Sequence, residues 1–277
     1  MLSKITFSPH WIKGASVAAG LVLCAMSSLG VAEGGIEQAM QSPLRSDANK
    51  ARDVYRHPAQ TLSFFEVSPS SQVVEIWPGS GWYTEILAPL LADKGKLYAA
   101  HFAKQSPVSY FQKSRTAFLA MAEAHPDVYG KMEITEFHPP SKVVSGPNAQ
   151  VDHVLTFRNV HNWMKAGFAD EAFTEFYQLL KPNGILGVVE HRAKPGTSMQ
   201  DMIASGYVTE DEVIRMAEKA GFVLEARSDI NANPKDTSVH PAGVWSLPPS
   251  LRLGDENRAE YLAIGESDRM TLKFRKP

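Results

Sequence analysis

The sequence predicts an α/β protein built on a mostly parallel sheet with helices on both faces. Three observations carry that prediction. Strand-like and helix-like segments alternate from residue 46 onward, the central strands are continuous apolar runs rich in β-branched residues, and turns bearing glycine or proline separate them. A strand covered on both faces has no solvent side, so polar alternation is not needed.

The elements follow in order. Helices are expected at 46–56 and 59–65, parted by Pro58, with Ser46 or Asp47 able to cap the first. Residues 72–77 read as a buried strand, and the turn Pro78-Gly79-Ser80-Gly81 leads into a helix at 82–91. Gly95 ends that helix. A strand at 96–100, a helix at 107–124 and a short strand at 132–137, closed by Pro139 and Pro140, come next. The run 151–157 is strand-like, 168–180 is an amphipathic helix ended by Lys181-Pro182-Asn183-Gly184, and 185–190 is a second fully apolar strand. Thr209 opens a helix to residue 220 with Glu212 three residues on, the pattern of a capping box, and Gly221 closes it. Strands at 222–228 and 269–275 finish the chain. One α/β domain thus spans 46–277, with 33–45 as a linker before it. Residues 229–268 form a long segment rich in Pro, Asn and Gly; its Trp245 and apolar residues favour an ordered lid over a loose connection.

Composition bounds the function. The chain has 277 residues, 44% hydrophobic and 21% charged, with a net charge of −2. That is too apolar for a disordered chain, and no block of Lys and Arg stands ready to neutralise nucleic-acid phosphates. The expected partner is a small molecule rather than a nucleic acid.

The first 32 residues read as an export signal. Lys4 and Lys13 precede an apolar run from Gly14 to Val31, and the small residues Gly30 and Ala32 stand before Glu33. Cleavage after Ala32 would deliver the chain to the periplasm and remove its only cysteine, Cys24, so disulfides and thiol catalysis are not expected. The rival reading is an uncleaved segment anchoring the chain in the inner membrane.

The glycine turn is the first chemical signal. Glycines at a strand-to-helix turn let the backbone approach a ligand, and Glu75 stands four residues before Gly79. This spacing is unlike a dinucleotide fingerprint, and His101 occupies the end of the second strand, where a dinucleotide site wants an acid.

At this turn the chain resembles the class I S-adenosylmethionine-dependent methyltransferases. Residues 73–81 (VVEIWPGSG) are similar to that family's first motif, 151–157 to its fourth strand, and 179–190 to its LKPGG turn and fifth strand. More narrowly, the chain resembles a group of predicted exported methyltransferases through 157–163 (FRNVHNW), Glu190-His191-Arg192, 247–250 (LPPS) and 264–271 (IGESDRMT). The resemblance implies a Rossmann-like seven-stranded sheet, parallel except for its last strand, and S-adenosylmethionine as cofactor. It implies that Glu75, Pro78, Gly79 and Gly81 contact the cofactor, with His101 where the family carries an acid for the ribose. Trp77 stands where the family's first glycine usually is.

Ligands of open α/β sheets bind outside the carboxyl ends of the strands. There, His161 is the candidate base, because an imidazole titrates near neutral pH, and Glu190 is expected either to orient it or to bind substrate. Arg158, Asn159, His191 and Arg192 are the candidate substrate contacts, the arginines for an anionic group. His161, His191, Glu190 and Asn159 could instead converge on a divalent cation, but no HxxxH or HExxH spacing supports this, and no metal is expected. The expected function is methyl transfer to a small molecule. The alternative is a binding protein that keeps the fold without the reaction.

Overall fold

Each strand expected from the sequence is present. The computed structural model describes residues 34–138 and 151–277. The expected export segment and the Pro139-Pro140 closure lie outside the described residues. The strands are β1 (Gln72–Ile76), β2 (Lys96–His101), β3 (Glu133–Glu136), β4 (Val151–Phe157), β5 (Leu180–His191), β6 (Val223–Ser228) and β7 (Arg269–Arg275). They form one sheet in the order β3-β2-β1-β4-β5-β7-β6. Pairings among β1 to β5 are parallel, and β7 runs antiparallel to both β5 and β6.

The helices are α1 (34–40), α2 (Asp47–Lys50), α3 (Asp53–Arg56), α4 (Pro58–Phe64), α5 (Thr84–Leu91), α6 (Ser109–Ala124), α7 (Pro126–Tyr129), α8 (Val160–Ala166), α9 (Ala169–Leu179), α10 (Met199–Ser205), α11 (Glu210–Lys219) and α12 (Arg258–Ile264). Two hydrophobic cores lie on the two faces of the sheet. Val74, Ile76, Leu186 and Val188 pack with α8, α9 and α11 in one, while Val73, Leu97, Leu155 and Val189 pack with α1, α4 and α5 in the other. Neighbouring residues of one strand thus feed opposite cores, which is why these strands read as unbroken apolar runs. In α9, Ala172, Phe173, Phe176 and Leu179 recur at helical spacing and are all buried, and Asp170 and Glu171 sit favourably in its first turn.

Several elements depart from expectation. The helix expected at 46–56 is two single turns, α2 and α3, and Ser46 caps the first through its hydroxyl and the Asn49 N–H. Within the expected linker, residues 34–45 are packed: Ile36 and Ala39 of α1 join the core and the buried Arg45 pairs with Asp53 at 2.7 Å. Strand β5 begins at Leu180 rather than at residue 185; Leu180 pairs with Val151, and an irregularity in register absorbs the turn sequence. Only half of the expected capping box forms. The Thr209 hydroxyl accepts from the Glu212 N–H, but the Glu212 carboxylate turns to Arg215.

The long segment after β6 is folded back and pinned by buried side chains. Asn231 donates to the hydroxyls of Thr61 and Thr271, while Asp236 accepts from the Tyr207 hydroxyl and the Asp268 N–H. A 3₁₀ turn at Gly243–Ser246 and the cis Pro248-Pro249 bond then carry Trp245 and both prolines to the carboxyl ends of the strands.

Candidate active site

A cleft of about 760 Å³ opens over the carboxyl ends of β1, β4 and β5. That volume lies in the range of small-molecule sites, about 300–1,000 Å³. Two residues at its floor hold left-handed backbone: Trp77 after β1, at φ 48°, and Arg158 after β4, at φ 64°. For a residue with a Cβ this conformation costs roughly 1–2 kcal/mol, and such residues gather at functional sites.

Trp77 takes up the turn that a glycine would make freely. Its indole N–H donates to the Phe137 carbonyl at 2.7 Å, and its ring packs against Phe102, Phe111, Trp163 and Phe168. The glycines that follow have separate tasks. Gly79, at φ 62°, lines the cleft, and a Cβ there would meet nothing within 4 Å, so a side chain would project into open space. Gly81, at φ 89°, instead lies against α6, where a Cβ would come within 3.1 Å of Met121.

Two residues assigned to the cofactor brace this turn from behind. Glu75 is buried beneath it and accepts from the Thr84 hydroxyl at 2.6 Å; burial pushes its carboxyl up to about 7. His101 is fully buried. Its Nε2 contacts the Gly79 carbonyl at 2.9 Å and its Nδ1 accepts the Phe102 N–H at 2.7 Å. Those bonds fix the proton on Nε2, and burial holds the ring's pKa down at about 4, so it is neutral. With both nitrogens engaged, His101 is not among the residues that line the cleft.

At the far side of the cleft the structure joins residues that lie far apart in sequence. His161 Nδ1 is 3.0 Å from Glu190 Oε1, and both side chains are buried. Glu190 is held in turn by the N–H groups of Val160, His161 and His191. No other hydrogen bond to the His161 ring is present among the described residues. His191 lies alongside, with ring centroids 5.4 Å apart and its Nδ1 2.6 Å from the Ser267 hydroxyl. Burial first, and then His161, Arg269, Arg158 and Arg56, keep His191 far below its usual pKa and therefore neutral. Asn159 lines the cleft but spends its amide N–H groups on the Ile76 carbonyl and the Thr156 hydroxyl, tying β4 to β1.

Ligand atoms of His161, Glu190 and His191 all lie within 4.8 Å of one another, the convergence raised from the sequence although no HxxxH or HExxH spacing marks it. The chemistry of the set suits proton handling better than cation binding. Both Glu190 oxygens already accept N–H donors, and the neighbouring field is that of several arginines.

Arg192 departs from its expected role. It lies outside the cleft, bidentate on Asp268 at 2.9 Å with further contacts to Asp229 and Glu210, and these carboxylates raise its pKa. Sequence reasoning missed Arg52 and Arg269 and placed Arg56, within Tyr55-Arg56-His57-Pro58, only as a cover over the cofactor pocket; all three line the cleft around Glu266. The signal was faint: an arginine opening a buried strand at residue 269, and a Tyr-Arg-His-Pro run ahead of β1.

Comparison with known proteins supports the fold. No family model and no curated protein matches the chain. Solved structures do. The chain has the class I methyltransferase fold, with similarity to an S-adenosylmethionine-dependent methyltransferase from Aquifex aeolicus at a TM-score of 0.54, 13% identity, 88% of this chain and 98% of that one. The (4+2)-cyclase SpnF gives a TM-score of 0.58 at 15% identity over 86% of this chain and 85% of its own. A protein assigned as a sarcosine dimethylglycine methyltransferase, from Galdieria sulphuraria, gives 0.55 at 12% identity over 80% and 84%. Among the described residues no helix is long and apolar enough to cross a membrane.

Proposed function

We propose that the protein is an exported S-adenosylmethionine-dependent methyltransferase acting on a small molecule. The observation that carries the reading is that the Gly79 turn and His161, with the buried Glu190 behind it, meet at one cleft, at the carboxyl ends of adjacent parallel strands.

Part of the cofactor finds residues that suit it. The open space over Gly79 admits close approach of the amino-acid end to the backbone, and the wall of Trp77, Phe102 and Phe111 offers rings for an adenine to stack on. When bound, the cofactor supplies an electrophilic methyl group on sulfur for in-line displacement. The protein's share is alignment and removal of the acceptor's proton. His161 Nε2 takes that proton, while Glu190, bonded to Nδ1, fixes the tautomer and stabilises the imidazolium that forms. Neutral His191 adds no competing charge beside it.

One observation favours the second reading, a binding protein of the same fold. His101 faces inward, and Glu266 is the one carboxylate lining the cleft among the described residues, already committed to arginines. The similarity to SpnF, a cyclase, fits a fold that serves more than one reaction.

Calorimetric titration with S-adenosylmethionine and S-adenosylhomocysteine tests the choice. Micromolar binding of both supports the enzyme. A folded protein that binds neither overturns it in favour of the binding protein. Export is tested by the intact mass of the protein recovered from the periplasm: a chain beginning at Glu33 supports it, and a retained Met1 favours the membrane anchor.

A further inference from the structure

We propose that the cleft takes its small-molecule acceptor as an anion of two or more negative charges, carboxylate or phosphate, held by the guanidinium groups of Arg52, Arg56, Arg158 and Arg269. The proposal treats the cleft as the acceptor's site, and to that extent it rests on the methyltransferase reading.

Charge counting comes first. Six cationic side chains line the cleft, these four with Lys165 and Arg252, against the single carboxylate of Glu266. Glu266 is fully used: it accepts from Arg52 Nε at 2.5 Å, from Arg56 Nε at 3.1 Å and from Arg269 Nη2. Burial alone would raise its pKa, but Arg269, Arg56, Arg52 and Arg158 together hold it far below the ordinary carboxylate range. One carboxylate offsets one guanidinium, so three positive charges of this cluster remain without a counter-charge.

The donors are unsatisfied as well. Arg56 and Arg269 are only 3% and 2% exposed, yet Arg56 Nη1, Arg269 Nε and Arg52 Nη2 have no hydrogen-bond partner among the described residues. The Arg158 guanidinium, on its left-handed backbone at φ 64°, has neither an ion pair nor a hydrogen bond among the described residues. Burial first, then Arg158, lowers the pKa of Arg56; burial first, then Arg269, lowers that of Arg158 to about 10.

Uncompensated buried charge is costly. The folded chain tolerates this cluster, and what would repay it is an anion with enough oxygens for several forks. Guanidinium planes match carboxylate and phosphate geometry two bonds at a time, which a neutral acceptor would waste and a cation would oppose. The same excess repels a sulfonium donor. An anion in the cleft offsets it, so acceptor and donor bind with positive coupling.

The test is calorimetric titration of the purified protein at fixed ionic strength with malonate, citrate and glycerol phosphate, and with acetate as the single-charge control. The expected result is that at least one multivalent probe binds ten-fold or more tightly than acetate. Arg158→Gln, which breaks no ion pair and removes one uncompensated charge, does not lower the melting temperature and weakens that binding at least ten-fold; Arg158→Lys, which keeps charge but loses the fork, falls between. Multivalent probes that bind no better than acetate overturn the proposal, as does full affinity in Arg158→Gln. Titrating S-adenosylmethionine separately keeps the two readings apart. Anion binding without cofactor binding leaves the anion site standing and removes the methyltransferase, and with it the anion's role as acceptor; cofactor binding without anion binding overturns the anion site and leaves the methyltransferase standing.

Discussion

His161 donates from Nδ1 to the Oε1 of Glu190 across 3.0 Å, linking the helix after β4 to the end of β5 inside a buried pair. The same carboxylate holds the N–H groups of Val160 and His191 at 2.6 and 2.8 Å, so imidazole and backbone are positioned by one group. A base that must keep its lone pair on Nε2 needs such a partner.

The two residues of that pair separate chemistry from scaffold. His161→Ala should lower turnover at least ten-fold and leave cofactor affinity as it is, read by steady-state kinetics beside calorimetry; unchanged turnover removes His161 as base. Glu190→Gln turns one acceptor oxygen into a donor facing N–H groups, each lost buried bond costing about 1–3 kcal/mol. It should lower both turnover and the melting temperature, the latter by several degrees.

Gly79 offers a cleaner probe of the turn. A Cβ there meets no neighbour within 4 Å, so Gly79→Ala should fold, losing about 1–2 kcal/mol to its φ of 62°. The new methyl occupies the open space over the turn, and cofactor affinity should fall at least ten-fold. Wild-type affinity in a folded Gly79→Ala protein would sink the assignment of this turn to the cofactor.

Glu75 links the turn to pH. Burial raises its folded pKa from 4.5 to about 7, so the folded state binds the proton more tightly than the unfolded chain does. The stability this proton confers is complete below the unfolded value and is lost as pH rises through the folded one, up to about 3 kcal/mol in order of magnitude. Glu75→Gln should remove that dependence. Urea unfolding at pH 5 and pH 8 checks it: wild type should lose stability relative to the variant across this interval, and parallel profiles would contradict the burial argument.

Arg192 should behave as structure alone. Its guanidinium is spent on Asp268, Asp229 and Glu210 outside the cleft, so Arg192→Gln should lower the melting temperature by a few degrees while cofactor and anion affinities stay at wild-type values. A loss of anion affinity would return it to the site.

Fold and site differed in how far they could be read from the chain. Strand runs such as 151–157 and the turn at Pro78–Gly81 are local patterns whose periodicity and glycines carry their own meaning, and the structure has strands or turns at each. Corrections fall where a local pattern meets a tertiary competitor. Glu212 left the capping box for Arg215, and His101 bonded the Gly79 carbonyl rather than facing the cleft.

The sequence by itself determined the α/β class, the order of the seven strands along the chain, and which rim residues carry titratable groups, because apolar period and turn chemistry are short-range. Only the tertiary structure decided that Arg52 and Arg56, ahead of β1, meet Glu266 and Arg269 more than two hundred residues later, and that Arg192 is excluded from the same cleft. Charge neutralisation is a property of three-dimensional neighbours. No spacing along the chain shows which arginine has found a carboxylate and which is still without one.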